Sequence, residues 1–188
     1  LGVPWNIAKV YSHSKLILLA YLQWGEACLS HLYGDFAFAI WDHRRNEVFC
    51  ARDQFGVKSL YYLDQPGFLA VASEISAFRI VPGFRYEINE QYILDSMCSI
   101  LTTEPSTAYK GVSRLKPAHY FKMVYGQLSG QSRYWDLQPK TCYQDLTLEE
   151  ASQELKERFT EAVRQRIPKE GQIGLELSGG LDSSAIAS

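Results

Sequence analysis

Apolar residues fall at helical steps over residues 14–24, where Leu16, Leu19, Ala20 and Leu22 make a broad apolar side and Gly25 stops the run. The spacing predicts an amphipathic helix. The period then changes. Residues 36–41 are nearly continuous apolar and aromatic, as expected of a strand buried on both faces. Arg44-Arg45-Asn46 supplies a turn and residues 47–51 return, which predicts a hairpin. Residues 60–63 and 68–72 predict a second hairpin across the Pro-Gly turn Asp64-Gln65-Pro66-Gly67. Residues 36–72 are therefore expected to form adjacent antiparallel strands. Residues 73–80 predict a short helix capped by Ser73 and stopped by Pro82-Gly83, and residues 89–100 a second one with Asn89 at its N-cap. Antiparallel strands flanked by helices are an α+β layer pattern.

Residues 101–117 are polar and turn-rich, the expected crossing between domains. Residues 120–124 and 133–136 predict short strands around Gly126 and Gly130, and residues 139–145 a second linker. Thr147 and Glu150 form a capping-box pair. Leu148, Ala151, Leu155, Phe159, Ala162 and Val163 then recur at steps of three and four until Pro168, which predicts a long helix. Residues 172–177 predict a strand of a separate sheet, Ser-Gly-Gly a turn, and residues 182–188 the opening of another helix. Helix, strand, helix is the start of an α/β domain.

Composition narrows the function classes. The 188 residues suit one large domain or two small ones, and 46% hydrophobic with 21% charged residues excludes disorder. Nineteen Lys and Arg face 21 Asp and Glu with no long run of one sign, so there is no electrostatic footprint for nucleic acid. The longest apolar run, residues 16–22, is too short to span a bilayer. Cys28, Cys50, Cys98 and Cys142 form no CxxC pair and read as unpaired thiols in a reducing cytoplasm. The first residue is Leu1, not Met, and within the chain no basic n-region precedes an apolar stretch, so no secretory signal is expected within it. The last predicted helix runs for only about two turns. The chain therefore reads as a piece of a longer protein.

The segment Ser178-Gly179-Gly180-Leu181-Asp182-Ser183-Ser184 lies between a predicted strand and a predicted helix. Glycines let the backbone approach a ligand and expose its N–H groups. The helix behind them points its positive dipole end at the same place. Ser183 and Ser184 add donors. These are the parts of a phosphate cradle, without the Gly-Lys-Ser/Thr ending of a Walker A loop. Asp182 beside phosphates makes sense as a Mg2+ ligand, since Mg2+ takes a few carboxylate oxygens plus phosphate.

This loop resembles the pyrophosphate-binding loop of the ATP pyrophosphatase family. Four upstream blocks narrow the resemblance: Tyr21-Leu-Gln-Trp-Gly-Glu26, Gly34-Asp-Phe-Ala-Phe-Ala-Ile-Trp-Asp42, Ala51-Arg-Asp-Gln-Phe-Gly-Val-Lys58 with Leu60-Tyr-Tyr62, and Ala72-Ser-Glu-Ile75. In that order they are similar to the asparagine synthetase B-type enzymes. The resemblance implies α+β followed by α/β. Residues 1–100 would be the second half of a class II glutamine amidotransferase domain, an N-terminal-nucleophile-hydrolase αββα sandwich. Residues 101–146 would connect it to residues 147–188, the start of an ATP-binding synthetase domain of the adenine-nucleotide α-hydrolase-like, PP-loop type.

The implied activity is an ATP-dependent ligase that adenylates a carboxylate and then joins it to ammonia derived from glutamine. The implied ATP site is Leu177, through its backbone, with Ser178, Gly179, Gly180, Leu181, Asp182, Ser183 and Ser184, and Asp182 holds Mg2+. The glutaminase nucleophile of the family is an N-terminal cysteine, whose amine and thiol act together. This chain begins with Leu1, so no catalytic residue is assigned within it. Implied partners are ATP, an acceptor carboxylate and glutamine or ammonia, with no nucleic acid and no membrane, and a homodimer is one assembly open to the family.

Three departures bear on that expectation. Ser12-His13-Ser14-Lys15 stands where the family carries Ser-Asp-x-Glu, and the family's Asp grips the glutamine amino group. His13 cannot pair with an ammonium as a carboxylate does, so a weakened glutamine pocket is expected. Arg114-Leu-Lys-Pro-Ala-His119 replaces a Pro-Gly and is closer to lasso-peptide cyclases, which take a precursor peptide. A cyclase with a degenerate glutaminase domain is thus one alternative, and a non-catalytic remnant is another. Lys58-Ser59 replaces Lys-Pro. Arg52 and Asp53 read as a structural salt bridge at a strand end.

Overall fold

Ser12 starts the first helix: its hydroxyl accepts the Lys15 amide at 3.3 Å, and α1 runs His13–Trp24 to a stop at Gly25, φ +58°. This is the N-cap chemistry of a short polar side chain ahead of an apolar run. The computed structural model describes residues 10–100, 105–139, 143, 145–168 and 170–188. In it α1 buries Ala20 and Tyr21, while Leu18 and Leu22 on its broad apolar side stay exposed. A 3-10 helix, Gly25–His31, follows and carries Cys28 and Leu29 into the core.

Two antiparallel sheets form the body. The first has β1 (Ala37–Asp42), β2 (Glu47–Arg52), β6 (His119–Val124) and β7 (Gln127–Leu128) in that order, with β8 (Ser132–Arg133) also paired to β6. The second has β4 (Phe68–Ala72), β3 (Tyr61–Gln65) and β5 (Val112–Arg114). Both predicted hairpins form, with Phe38 opposite Ala51 and Leu63 opposite Ala70. The two hairpins belong to different sheets, however, rather than lying adjacent in one.

The strand buried on both faces is also not the expected one. Among the described residues β1 is an edge strand, with Ala39 and Trp41 exposed. Its neighbour β2 lies between β1 and β6 and is covered on both faces: Phe49 and Ala51 pack with Tyr21, Cys28 and Leu29, while Cys50 packs with Leu60, Tyr62, Leu115 and Phe121. An apolar run alone does not say which strand has two neighbours, and here the β6 pairing decides it. Fully burying a side chain such as Phe49 or Phe121 stabilises the fold by roughly 1.5–3 kcal/mol. A third cluster, Leu63, Phe78 and Val112, joins the second sheet to a 3-10 helix, Ile75–Ile80.

Local starts and stops deviate in three places. The 73–80 helix is the 3-10 turn just given, with Glu74 rather than Ser73 at its N-cap and no side-chain cap. The second predicted helix is shorter than expected: α2 spans Glu90–Met97, and Asn89 accepts the Tyr92 amide at 3.4 Å. The strand predicted at 133–136 is confined to β8. Residues 105–117, expected to cross between domains, instead carry β5, and Thr107 is buried with its hydroxyl on the Val112 carbonyl at 2.9 Å. Polar composition there reflects hydrogen bonding inside the unit, not a linker.

The chain divides into two compact units, the first ending at Leu137 and the second starting at Gln138. Within the second, α3 (Leu148–Arg166) opens on the predicted capping box, with the Thr147 hydroxyl accepting the Glu150 amide at 3.3 Å and the Glu150 carboxylate accepting the Thr147 amide at 2.9 Å. None of its residues is buried. A last helix, α4 (Leu181–Ala187), follows. Residues 172–177 do not form the predicted strand; Ile173, Leu175 and Leu177 are exposed, and no described residue pairs with the segment. A strand is made by a ladder to a neighbour, and the described residues supply none.

Candidate functional site

The loop between residue 177 and α4 is held by serine hydroxyls. Ser178 Oγ and Ser183 Oγ are 3.1 Å apart, the Ser178 amide donates to Ser183 Oγ at 3.3 Å, and the Gly180 amide donates to Ser178 Oγ at 3.3 Å. Gly179 has φ +78°, with open space where a Cβ would stand. Gly180 is the N-cap of α4 and offers no side-chain cap. The Ser184 amide takes the first intrahelical bond, to the Gly180 carbonyl at 3.2 Å. The amides of Leu181, Asp182 and Ser183 are then the first-turn donors that a helix leaves without an internal acceptor.

Over residues 178–184 every residue is exposed except Ser183, which is half-buried. The loop thus brings Ser178, Gly179, Gly180, Asp182 and Ser183 together around one turn, with Leu177 leading in and Ser184 on the helix. Its donor set suits an anion. Among the described residues, no group of three or more His, Cys, Asp or Glu is placed to hold a metal ion. Asp182 alone suits Mg2+ that arrives with phosphate oxygens, and does not suit an all-protein cage.

The other residues singled out in the sequence fall elsewhere. Arg52 and Asp53 are 6% and 2% exposed. Instead of pairing in a salt bridge, they close one turn from its two sides. The Arg52 guanidinium donates to the carbonyls of Lys58 at 2.6 Å, Leu115 at 2.7 Å and Gly56. The Asp53 carboxylate accepts the amides of Phe55 at 3.1 Å, Val57 at 2.9 Å and Lys58 at 3.0 Å. Burial, with Arg114 nearby, lowers the Arg52 pKa from its usual range. The role is structural, as expected, but the partners are backbone groups. His13 is the exposed first residue of α1. His119 holds the Pro117 carbonyl through Nδ1 at 2.7 Å. Cys28, Cys50 and Cys98 are free thiols, with burial pushing Cys28 up to about 11 and Cys50 to about 12; Cys142 lies outside the described residues.

One polar cluster was not visible in the sequence. Glu26, from the Trp-Gly-Glu block, is bound by the Lys122 ammonium, which also lies 3.8 Å from Glu47. The hydrogen bond from Lys122 holds Glu26 below the usual carboxylate range despite partial burial. Glu26 and Lys122 are 96 residues apart, so only the spacing of sheet and helix joins them. No helix among the described residues is long and apolar enough to cross a membrane.

Comparison with known proteins bears on both units. A family described as glutamine amidotransferase domain matches residues 7–135, and one described as asparagine synthase matches residues 154–188. Amidase chyE of Penicillium rubens is 36% identical over 178 residues, covering 94% of this chain and 26% of the relative. Amidase chry2 of Gibberella zeae is 35% identical with the same coverage. Glutamine-hydrolyzing asparagine synthetase 3 of Bacillus subtilis is 31% identical over 176 residues, 93% of this chain and 28% of the relative. The chain thus spans about a quarter of the length of the curated relatives it matches.

Proposed function

This chain belongs to the asparagine synthase family, with a glutamine amidotransferase domain followed by the start of an asparagine synthase domain, and we propose that the whole protein is an ATP-dependent amide-bond-forming ligase. In this reading a carboxylate is activated by ATP with release of pyrophosphate, and nitrogen from glutamine or ammonium then displaces AMP. The layers of the first unit are read as part of the αββα sandwich, and residues 147–188 as the opening of the nucleotide-binding domain. The free thiols fit a reducing cytoplasm.

The observation that carries the reading is the loop at residues 178–184. Its backbone amides and the Ser178 and Ser183 hydroxyls converge on one turn at the start of α4. These groups would hold the pyrophosphate portion of ATP, with the amides of Leu181, Asp182 and Ser183 as donors and Leu177 bordering the nucleotide. Asp182 would hold Mg2+, which when bound neutralises the phosphate charge. What the loop contributes is fixed dipoles aimed at a charged leaving group, a large catalytic term. The test is exchange of labelled pyrophosphate into ATP by the whole protein across a panel of carboxylic acids. Exchange with at least one acid is expected; none with any acid, together with no Mg·ATP binding, favours a non-catalytic remnant.

His13 sets the nitrogen source. An imidazole at the position of an ammonium-binding carboxylate weakens glutamine capture. Ammonium salts are expected to support product formation better than glutamine, and His13→Asp to raise the glutamine-supported rate. Wild-type protein saturating at micromolar glutamine, on the order of 1–100 μM, would contradict the assignment.

A further inference from the structure

Between α1 and β1 the chain is held by few contacts. It leaves α1 at Gly25, φ +58°, and turns into the sheet after Gly34, φ +120°, dihedrals that glycine adopts freely and other residues do not. The 3-10 helix that opens this stretch is seven residues long. Runs of 3-10 helix beyond three or four residues are uncommon, because their hydrogen bonds are poorer than those of an α-helix. Among the described residues, no backbone hydrogen bond joins residues 26–34 to a strand. Only Cys28 and Leu29 of this stretch are buried, in the cluster that holds Tyr21, Phe36, Phe49 and Ala51.

Side chains supply the other ties. The Lys122 ammonium on β6 binds Glu26. Gln54 Nε2 donates to the Leu32 carbonyl at 3.0 Å. The His31 ring stacks on Trp24, with centroids 4.1 Å apart. A segment with few buried apolar contacts and no ladder opens at a lower free energy than the core it lies on. We propose that residues 26–34 form a strap that opens as one unit about Gly25 and Gly34, lifting Cys28 and Leu29 out of the core while the β1–β2–β6 ladder stays closed. Lys122 is the catch. It also lies 3.8 Å from the buried Glu47, so releasing Glu26 does not leave the ammonium without a counter-charge. Trp24, Gly25 and Glu26 line a cleft of about 890 Å3 against the β1–β2 hairpin, and opening the strap reshapes that wall. The device belongs to the first unit and is independent of the nucleotide loop.

Two buried thiols report the motion separately, Cys28 on the strap and Cys50 on β2. The experiment treats the native whole protein with iodoacetamide across a series of urea concentrations below the unfolding transition. Peptide mass spectrometry follows the two cysteines, each rate being divided by its rate in the unfolded protein. Cys28 is expected to label ahead of Cys50 and with a weaker urea dependence, because opening a strap exposes less surface than unfolding the sheet. Equal rates with equal urea dependence overturn the proposal. Glu26→Gln removes the catch and should speed Cys28 about tenfold, the scale for losing a hydrogen bond between charged groups, with Cys50 unchanged. Acceleration of both thiols alike, or of neither, overturns it. If Glu26→Gln does not fold, Gln54→Ala gives the same test on the Leu32 tie: Cys28 alone should speed up about threefold, and no change at Cys28 overturns the proposal equally.

Discussion

In the turn at residues 53–58 the polar groups are consumed within the fold. Asp53 takes three amides, Arg52 takes three carbonyls, and both side chains are buried. In the loop at residues 178–184 the serines organise the turn while Asp182 stays exposed and the first amides of α4 have no internal acceptor. Both turns carry an aspartate and a glycine at positive φ, Gly56 at +67° and Gly179 at +78°. The difference lies in what the carboxylate faces. A carboxylate that faces its own backbone makes architecture; one that faces water beside open donors is available to a ligand.

The contrast breaks first, and most strongly, at Asp53. Asp53→Ala removes the acceptor of three part-buried amides, at about 0.5–1.5 kcal/mol each, so a loss of roughly 2–4 kcal/mol is expected in urea unfolding. A loss below about 1 kcal/mol would remove the turn from the architectural side of the comparison. Asp182→Asn should do the reverse. Its unfolding midpoint should match wild type because the side chain is exposed, while pyrophosphate exchange in the whole protein falls by about 10²–10³, the scale for removing one electrostatic element from a transition state. Unchanged exchange would mean the aspartate is a plain early-helix charge.

Glycine separates the two turns more finely. A Cβ on Gly56 would stand 2.8 Å from Pro117 Cγ and 2.9 Å from the Arg52 guanidinium, at φ +67°. Strain and overpacking together should make Gly56→Ala cost roughly 2–4 kcal/mol. At Gly179 a Cβ meets nothing within 4 Å, so Gly179→Ala should carry only the positive-φ cost and destabilise less; equal losses would erase the distinction. The smallest effect has the opposite sign. Ala118 sits at φ +57°, buried, with its amide on the Asp53 carbonyl at 2.8 Å and its carbonyl accepting the Tyr134 amide at 2.9 Å. Ala118→Gly relieves that conformation and should stabilise the first unit by about 0.5–1 kcal/mol, measured as a rise in Tm. A fall in Tm would show that Ala118's packing outweighs its backbone strain.

Legibility in the sequence followed distance along the chain. The starts of α2 and α3 were readable because Asn89 and Thr147 cap amides within three residues; Ser12 caps α1 in the same way, one residue ahead of the span expected from the apolar steps. The two hairpins were readable because each turn lies between the strands it joins. The strand expected at 172–177 does not form, because its apolar alternation needs a neighbouring strand that the described residues do not contain. The 178–184 loop was legible as a motif, and its place ahead of α4 follows the expected order. The Glu26–Lys122–Glu47 cluster was not legible at all: no spacing in the sequence links Glu26 to Lys122 or marks Glu47 Oε1 as lacking a donor.

The sequence by itself determined the helix caps, the hairpin turns, the capping box of α3, the glycine-serine loop and the family blocks, because each is written in residues a few positions apart. Tertiary structure alone decided which strand is buried on both faces, since β6 arrives from beyond residue 118 to make β2 an interior strand and two separate core clusters cover its faces. It also decided what Arg52 binds: the Leu115 carbonyl stands 63 residues away, and a guanidinium buried beside carbonyls satisfies them rather than the adjacent carboxylate, which its own turn has already saturated.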